Sequence, residues 1–424
     1  MVSSNKHLSL LKVKAALLVA LFLLAIPVVA DQSPTEKIDD WRDYYQHSTL
    51  LKKRDDVFIA NELSAQQLSE PIPAVAVNRF ILPQQNEAWL LSSEAQTIAD
   101  NVLSFQTPSG GWSKRTDMIS GLRKVGQAFG SEKRYIPTFD NNATTDQVRF
   151  LAAMYAATKQ VVYQKAVEKA INLILAAQYP NGCWPQTYPL VGGYHDHITF
   201  NDGVIVNNLD VLDKIVNNGG DYALLDTNED FLSLQAQAKV AINLGVQCLL
   251  ETQVKVNGVL TVWGAQHDVQ TLQPTSARAY EMASLASEES QGVVEWLMHY
   301  ASQNSSANEQ IILTLDSAIA WFRQTKIDGY RWHRVGASVA ELVEDTDGPL
   351  LWARFYEIGT NKPVFGDRDG TIHYDVNKIS LERRLRYGWF NEGPRRLIRE
   401  YESWRKDVSV KNIKPAENTK ENSH

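Results

Sequence analysis

The chain contains 424 residues, 44% of them hydrophobic, and has a formal net charge of −7. That length accommodates one large domain or two ordinary ones. The negative charge excludes a general attraction to nucleic acid and other polyanions, so an acidic ligand would require a local basic cluster or a bound cation.

The N-terminus has the pattern of a secretory signal peptide, which we assign to residues 1–30. Lys6, Lys12 and Lys14 give the start a positive charge. An uncharged apolar run follows over residues 15–26, and the small residues of a cleavage site follow at Val28 to Ala30. The apolar run is too short to span a membrane comfortably, and an uncleaved N-terminal anchor is the alternative. We therefore predict a secreted or periplasmic protein with no membrane contact after cleavage.

Four segments between residues 106 and 332 resemble one another. Each begins with a glutamine, and these glutamines lie 72, 75 and 71 residues apart. Each segment also contains a tryptophan, the pairs being Gln106 and Trp112, Gln178 and Trp184, Gln253 and Trp263, and Gln324 and Trp332. A period of about seventy residues without strongly alternating strands fits two helices and two loops per repeat.

Apolar residues at helical spacing precede each of the last three glutamines. They predict helices over 166–177, 238–249 and 311–322, each closed by its glutamine, with further helices over 145–158 and 204–215. One helical hairpin cannot bury its own apolar face, whereas several arranged in a ring can. We therefore predict an all-α fold, an α/α toroid with long loops at its catalytic rim.

The toroid is expected to span residues 86–406 and to be a monomer. Residues 31–85 are less regular in pattern and are expected to pack on its outside, and the polar residues 407–424 predict a disordered tail. Cys183 and Cys248 are able to form one disulfide after export, but helix packing already explains both segments. We therefore favour unpaired cysteines.

Three residues near predicted helix starts are candidates for a shared site, because equivalent loops of a toroid meet at one rim. They are Asp140, Asp202 and Arg278, each shortly after a repeat's tryptophan. Two carboxylates and an arginine can form a metal and acid–base cluster. Either aspartate alone is more simply explained as a helix cap or a turn residue. An arginine in a first helical turn opposes the helix dipole, which favours a functional role for Arg278.

Two metals are compatible with the residue types. Aspartate and asparagine oxygens suit calcium, with water or substrate completing its coordination. The motif of His195 and His197 around an aspartate makes zinc the rival, but no third ligand stands at a recognised spacing. We expect these histidines to position substrate instead.

Two arginines in the C-terminal third, Arg354 and Arg368, are suited to bidentate contacts with carboxylates. The alternative for Arg368 is that Asp367 or Asp369 clamps it as a fastener of its own loop. The sequence pattern alone leaves both explanations open.

Five blocks of the chain, in order, resemble the pectate lyases of polysaccharide lyase family 10. The blocks are residues 106–114, 139–151, 178–202, 263–290 and 352–375. The resemblance implies an α/α toroid that cleaves polygalacturonate, an acidic plant cell-wall polysaccharide, or its oligomers. It also implies calcium as cofactor and anti β-elimination as the reaction.

The resemblance further implies roles for individual residues. Arg278 matches the catalytic base, and the calcium-site matches are Asp140, Asp202 and Asn141. The residues taken as substrate-binding are Arg354, Arg368, Lys114, His197 and Tyr280. The chain departs from the family pattern at Ser113, Arg115 and Gly264, none of which touches this chemistry directly.

The implied mechanism has one demanding step. Abstraction of the C5 proton of a uronate builds negative charge on the adjacent carboxylate, which calcium and two arginines would stabilise. An arginine base must be neutral, and its usual pKa of about 12.5 to 13.8 predicts an alkaline optimum. Two other functions remain open: an inverting glycoside hydrolase that uses Asp140 and Asp202, and a non-catalytic exported uronide-binding protein.

Overall fold

Helices dominate the computed structural model, which describes residues 41–82, 86–133, 136–225, 228–304 and 309–413. The α-helices of this part are α1 (Trp41–Gln66), α2 (Glu87–Leu90), α3 (Ser93–Ser104), α4 (Ala143–Thr158), α5 (Val161–Ala177), α6 (Val204–Val216), α7 (Glu229–Thr252), α8 (Ser287–Gln303), α9 (Glu309–Gln324), α10 (Leu381–Arg386) and α11 (Gly393–Ile413). The prediction of an all-α fold is confirmed at this level. The predicted signal peptide lies outside the described residues.

Strands are short and form antiparallel pairs. They are β1 (Ile198–Thr199), β2 (Lys255–Val256), β3 (Val259–Leu260), β4 (Gln266–His267), β5 (Leu285–Ala286), β6 (Tyr330–Val335), β7 (Val339–Glu344), β8 (Trp352–Ala353), β9 (Phe355–Tyr356), β10 (Phe365–Gly366), β11 (Ile372–His373) and β12 (Phe390–Asn391). The pairs are β1 with β4, β2 with β3, β5 with β9, β6 with β7, β8 with β12 and β10 with β11. Most of them fasten loops between helices. Within the described ranges, no helix has both the length and the apolar character needed to cross a bilayer.

The repeated glutamines clamp consecutive hairpins together. Each of the first three donates from Nε2 to a carbonyl in its own turn and to one in the second helix of the next hairpin, at 2.8 to 3.0 Å. The donors and acceptors are Gln106 to Gly110 and Ala166, Gln178 to Gly182 and Ala241, and Gln253 to Thr261 and Thr314. The period seen in the sequence therefore marks a recurring link between repeats.

Four buried tryptophans mark the same place in each repeat. Each indole Nε1 donates to a carbonyl of the preceding helix at 2.7 to 2.8 Å. The pairs are Trp112 with Val102, Trp184 with Ile174, Trp263 with Leu249, and Trp352 with Phe322. The prediction that Trp332 is the fourth is wrong, because Trp332 lies on β6 of a hairpin inserted between α9 and Trp352.

The main helices form two layers in which neighbours in the chain are neighbours in space. Helices α3, α5, α7 and α9 contact one another in that order, and α4, α6 and α8 do the same. Contacts between the layers join α4 to α5, α6 to α7 and α8 to α9. The N-terminal ends of α4, α6 and α8 lie together, which places the loops before them side by side. Closure of these layers into a toroid remains a prediction.

Both ends of the described chain are more helical than the sequence indicated. Residues 41–66 form the long helix α1, so the expectation of less regular structure is wrong there. The hydroxyl of Tyr44 donates to the carbonyl of Ala177 at 3.0 Å, which fastens α1 to the end of α5. Helix α11 continues to Ile413, so disorder does not begin at 407 as predicted. Residues 414–424 lie outside the described part.

Cys183 and Cys248 form a disulfide, which corrects the expectation of unpaired cysteines. The bond joins the turn after α5 to helix α7, with the two Cα atoms 5.4 Å apart. Both side chains are fully buried. Helix packing does explain the two segments, but the same packing brings the two thiols within bonding distance.

Candidate active site

Two short 3-10 turns with related sequences precede α4 and α6. The first begins at Asp140 and the second at Asn201, each after a Thr-Phe pair. The second residue of each turn, Asn141 or Asp202, has a φ of +52°. Left-handed backbone of this kind is uncommon for residues with a side chain and often accompanies function. The prediction that the two aspartates hold matching places is wrong, because Asp202 matches Asn141.

This offset lets one amide bridge both carboxylates. Nδ2 of Asn141 donates to Oδ1 of Asp140 and to Oδ2 of Asp202, both at 2.8 Å. Asn201 donates to the same Asp202 oxygen at 2.7 Å, and Lys114 forms an ion pair with Asp140. Neither aspartate caps the helix that follows. The simpler explanation as caps therefore fails, and the two carboxylates belong to one cluster.

The two carboxyl groups have different proton affinities. Partial removal from water, and then the neighbouring Asp140, raise the pKa of Asp202 to about 7, with Arg354 opposing them. Burial raises the pKa of Asp140 too, but Lys114 and hydrogen bonds outweigh it and leave that pKa below its usual value. Asp202 faces solvent, which screens part of the repulsion without changing its sign. The cluster therefore favours a proton or a cation beside Asp202.

The donor atoms of this cluster suit a hard cation. Carboxylate oxygens of Asp140 and Asp202 and the amide oxygen of Asn141 are ligands that calcium prefers. In the described ranges, no group of three or more His, Cys, Asp and Glu side chains could hold a metal ion. Calcium would therefore need water or substrate to complete its coordination, and it would compete with Lys114 for Asp140. The alternative, a zinc ion at His195 and His197, still has no third ligand among the described residues.

Arg354 is buried beside this cluster. Its Nη2 donates to Oδ1 of Asn201 at 3.0 Å, and its guanidinium pairs with Glu288 at 3.2 Å and with Glu289. Burial lowers the pKa of Arg354, but Glu289 more than offsets it, so the group stays charged. Its Nε is buried with no hydrogen-bond partner in the described structure. The sequence argument missed both glutamates, although they occupy the first turn of α8.

Tyr387, for which no motif gave a signal, connects Arg354 to Arg278. The centre of its ring lies 4.9 Å from Cζ of Arg354 and 5.9 Å from Cζ of Arg278. Its hydroxyl donates to Oε1 of Glu281 at 2.6 Å. The same carboxylate accepts from Nε of Arg278 at 2.7 Å. Both partners of Arg278 were therefore missed, even though Glu281 stands three residues along the chain.

Arg278 lies in a turn, since α8 begins only at Ser287. The predicted position in a first helical turn is wrong, and the helix dipole gives no reason for a function. Desolvation lowers the pKa of Arg278, but the hydrogen bond and charge of Glu281 more than offset it and raise that pKa above its ordinary value. In this arrangement Arg278 carries its proton.

Tyr280 extends the contacts to Arg368. The centre of its ring lies 5.1 Å from Cζ of Arg278, 4.4 Å from that of Arg383 and 5.7 Å from that of Arg368. A stacked guanidinium of this kind is attracted by the negative face of the ring. Tyr280 thus gathers three positive groups on one side of the site.

The guanidinium of Arg368 is exposed and pairs with Glu382 through Nε and Nη2, both at 3.0 Å. The predicted alternative partners, Asp367 and Asp369, are therefore wrong. The clamp comes from α10, fourteen residues away in the chain.

His197 is the predicted site residue without a described contact to this group. Its carbonyl accepts from Oγ1 of Thr199 at 2.9 Å, and burial lowers the pKa of its imidazole. The other predicted residues form one unbroken series of contacts with three residues that were not predicted. We name it the carboxylate–arginine series, and its members in order are Lys114, Asp140, Asn141, Asp202, Asn201, Arg354, Tyr387, Arg278, Tyr280 and Arg368, with Glu281 beneath Arg278.

Comparison with known proteins gives the family. The profile of the family described as pectic acid lyase matches residues 106–398. A family 10 polysaccharide lyase from Cellvibrio cellulosa is 36% identical, with a TM-score of 0.64 over 77% of this chain and 98% of that chain. An aspartate-to-alanine mutant of that lyase, in complex with trigalacturonic acid, is 36% identical with a TM-score of 0.64 over 77% and 99% of the two chains. No protein of curated function matches significantly.

These matches decide between the three functional classes that the sequence left open. The inverting hydrolase and the non-catalytic binding protein are both set aside, and the resemblance found in the sequence is confirmed. The chain belongs to the pectic acid lyase family, within family 10 of the polysaccharide lyases, and is a lyase.

Proposed function

We propose that this lyase cleaves polygalacturonate or oligogalacturonides by calcium-assisted anti β-elimination, leaving 4,5-unsaturated ends. One observation carries the proposal: unbroken contacts join two close carboxylates to the three arginines Arg354, Arg278 and Arg368. Such an arrangement suits a ligand that carries several carboxylates. The related Cellvibrio lyase forms a complex with trigalacturonic acid, which supports the same substrate class here.

Asp140, Asp202 and Asn141 would hold the calcium ion. When bound, calcium stabilises the negative charge that develops on the substrate carboxylate. The raised pKa of Asp202 reports repulsion between two carboxyls, which a divalent cation relieves. Because Asp202 holds a proton below about pH 7, we expect calcium affinity to rise as the pH increases through that value.

Arg354 and Arg368 would bind carboxylates of neighbouring uronates. Arg354 keeps its charge and has an Nε without a described partner. Arg368 is exposed, and its pair with Glu382 faces solvent, so a substrate carboxylate can replace Glu382 at little cost. Lys114 beside Asp140 and Tyr280 beside Arg278 are proposed as further contacts. His197 is proposed as a contact on the resemblance alone.

Arg278 is proposed as the base that removes the C5 proton. The electron pair of the C5–H bond forms the C4–C5 double bond, the C4–O bond to the departing sugar breaks, and the departing oxygen takes a proton from solvent. Only a neutral guanidine can accept the proton, and Glu281 opposes that form. Added positive charge from Arg354 and from calcium favours it. Because these effects oppose each other and the neutral guanidine becomes more common as the pH rises, we expect the rate of cleavage to be highest at alkaline pH.

Three broader features are part of the proposal. We infer export directed by residues 1–30, a monomeric protein, and closure of the two helix layers into a toroid. The disulfide between Cys183 and Cys248 supports export, because disulfides persist mainly in oxidising compartments.

Calorimetric titration with calcium at pH 8 tests the metal site directly. The wild-type protein should bind one ion, whereas Asp202→Asn should lose most of the affinity. Asp56→Asn, which removes an exposed carboxylate on α1, is the matched control and should bind like wild type. Equal affinity in wild type and Asp202→Asn, or full turnover of polygalacturonate in the presence of a chelator, would overturn the proposal.

A further inference from the structure

A cavity of about 500 Å³ lies next to the carboxylate–arginine series. We name it the inner cavity, and its lining includes Phe80, Arg149, Lys214 and Tyr222. A smaller pocket that contains Lys114 and Asn141 has three lining residues in common with it, Arg79, Phe80 and Asp146. The two spaces are therefore neighbours, with Arg79 and Phe80 at their junction.

Hydrogen bonds through Asn207 on α6 link Asn142, which lines the smaller pocket, to Arg149, which lines the inner cavity. Oδ1 of Asn142, the residue after Asn141, accepts from Nδ2 of Asn207 at 2.7 Å. Oδ1 of Asn207 in turn accepts from Nη2 of Arg149 at 3.4 Å. From Asn142 to Ala153, the last residue of α4 that lines the inner cavity, the helix rises about 16 Å. That length is sufficient for an extension of the substrate chain beyond the reacting uronate.

The inner cavity carries charges of both signs, because Asp146 and Asp221 line it together with Arg79, Arg149 and Lys214. Arg149 is paired with Asp146 and Asp210, and Lys214 is paired with Asp210. Arg79 is exposed and has no described hydrogen bond or ion pair within 4 Å, although its charge acts on Asp146, which lines both spaces. A cation at the junction is therefore available to a ligand carboxylate, and such a charge-assisted contact is among the stronger polar contacts.

Two aromatic residues complete the chemistry expected of a sugar site. Phe80 is half-buried at the junction and offers an apolar face to a sugar ring. Tyr222 is 4% exposed, and its hydroxyl is buried with no hydrogen-bond partner in the described structure. A buried hydroxyl without a partner is costly, so it points to a group that arrives with a ligand.

We propose that the inner cavity binds further uronate units of the same substrate chain. Arg79 holds a carboxylate at the junction, Phe80 packs on a sugar ring, and the Tyr222 hydroxyl bonds to a sugar hydroxyl. This inference rests on the proposed function, because it extends that substrate site. It predicts that the enzyme distinguishes long chains from short ones through residues remote from the reacting carbon.

Steady-state kinetics on trigalacturonate and on polygalacturonate test the inference. Arg79→Ala should lower kcat/KM on polygalacturonate about tenfold, as expected for loss of a charge-assisted contact, and should leave kcat/KM on trigalacturonate nearly unchanged. Tyr222→Phe should lower kcat/KM for the polymer by a smaller factor. Its melting temperature should not fall, because the hydroxyl has no protein partner to lose. Arg396→Ala, an exposed paired arginine on α11, is the control and should affect neither substrate.

Each outcome has one meaning. A loss confined to polygalacturonate supports the inner cavity. Equal losses on both substrates, or no loss on either by an active enzyme, overturn the inner cavity and leave the proposed function standing. A wild-type protein that forms no unsaturated product from either substrate overturns the proposed function, and the inner cavity with it.

Discussion

Asp202 is held beside Asp140 in an arrangement that disfavours its charged form, whereas Asp140 is paired with Lys114. The two carboxyls are linked through Asn141, and both Asn141 and Asp202 have left-handed backbone. Strain and charge repulsion of this kind persist only when the surrounding structure enforces them. Here the fixed starts of α4 and α6 do so, and the calcium ion that we propose would relieve the repulsion.

The free energy of unfolding should depend on pH, because the two carboxylates repel each other when both are charged. The pKa of Asp202 in the folded protein, about 7, lies above its usual value, so its contribution to stability is present in acid and is lost as the pH rises to about 7. Calcium should restore stability, by about 2.7 kcal/mol at a hundredfold excess over its Kd. Thermal melts should therefore show a larger calcium shift at pH 8 than at pH 5.5. Asp202→Asn should show no calcium shift, and an equal shift at both pH values would contradict the assignment.

The pair of Arg278 with Glu281 allows a separate test of the base. Glu281 raises the pKa of Arg278, so Glu281→Gln should lower it and increase the neutral fraction about tenfold for each pKa unit. The alkaline rise of log kcat should then move to lower pH. If Arg278 acts only by its charge, the rate falls equally at every pH and the profile does not move. Glu382→Gln, which releases Arg368 instead, is the matched control.

At the scale of elements, the repeats are joined by side chains that bond to backbone. Gln253 is buried at the end of α7, and its amide donates to Thr261 in its own turn and to Thr314 in α9. Because each such glutamine contacts the next hairpin, the position of one helix pair fixes that of its neighbour. These hydrogen bonds between hairpins therefore also fix the positions of the loops that form the site.

Removal of one clamp should destabilise the whole fold. Gln253→Ala leaves the buried carbonyl of Thr261 without its donor and removes the second donor of the Thr314 carbonyl, which keeps its helical one, so it should cost about 1 to 3 kcal/mol of unfolding free energy. Gln247→Ala on the exposed face of α7, where the amide bonds only to Glu251, should cost little. Denaturant unfolding measures both. Similar values for the two variants would show that the clamps do not hold the hairpins together.

The disulfide makes a second contribution at this scale. It closes a separation of 65 residues between Cys183 and Cys248. The loss of chain entropy in the unfolded state predicts that replacing both cysteines with alanine costs about 4 kcal/mol. Reductant should lower the denaturation midpoint of the wild type and leave that of the double variant unchanged. A reductant effect of equal size in both would contradict this account.

Across the whole molecule, short-range pattern predicted much of the fold. Helical spacing of apolar residues gave the cores of α4, α5, α6, α7 and α9, and the repeated glutamines marked the ends of hairpins. The period failed at the fourth repeat, because the inserted hairpin β6–β7 displaced its tryptophan from 332 to 352. A single sequence does not reveal such an insertion when a tryptophan also falls at the expected spacing.

The residues of the site also divide into those that the sequence indicated and those that it did not. Asp140, Asp202 and Arg278 were found because each follows a repeat's tryptophan and lies near a predicted helix start. Several contacts of the site come from distant segments, as with Tyr387 against Arg278 and Glu289 against Arg354, whereas Glu281 lies only three residues from Arg278. Side-chain contacts over such separations depend on how the hairpins pack, and spacing along the chain carries no record of them.

The central claim is calcium-dependent elimination at the carboxylate–arginine series, and one measurement tests it most directly. Ultraviolet absorbance of polygalacturonate incubated with the protein at alkaline pH should increase steadily as unsaturated ends accumulate. A chelator should stop the increase, and excess calcium should restart it. Product formation that continues at an unchanged rate in the presence of the chelator, or cleavage without any ultraviolet absorbance, would contradict the account.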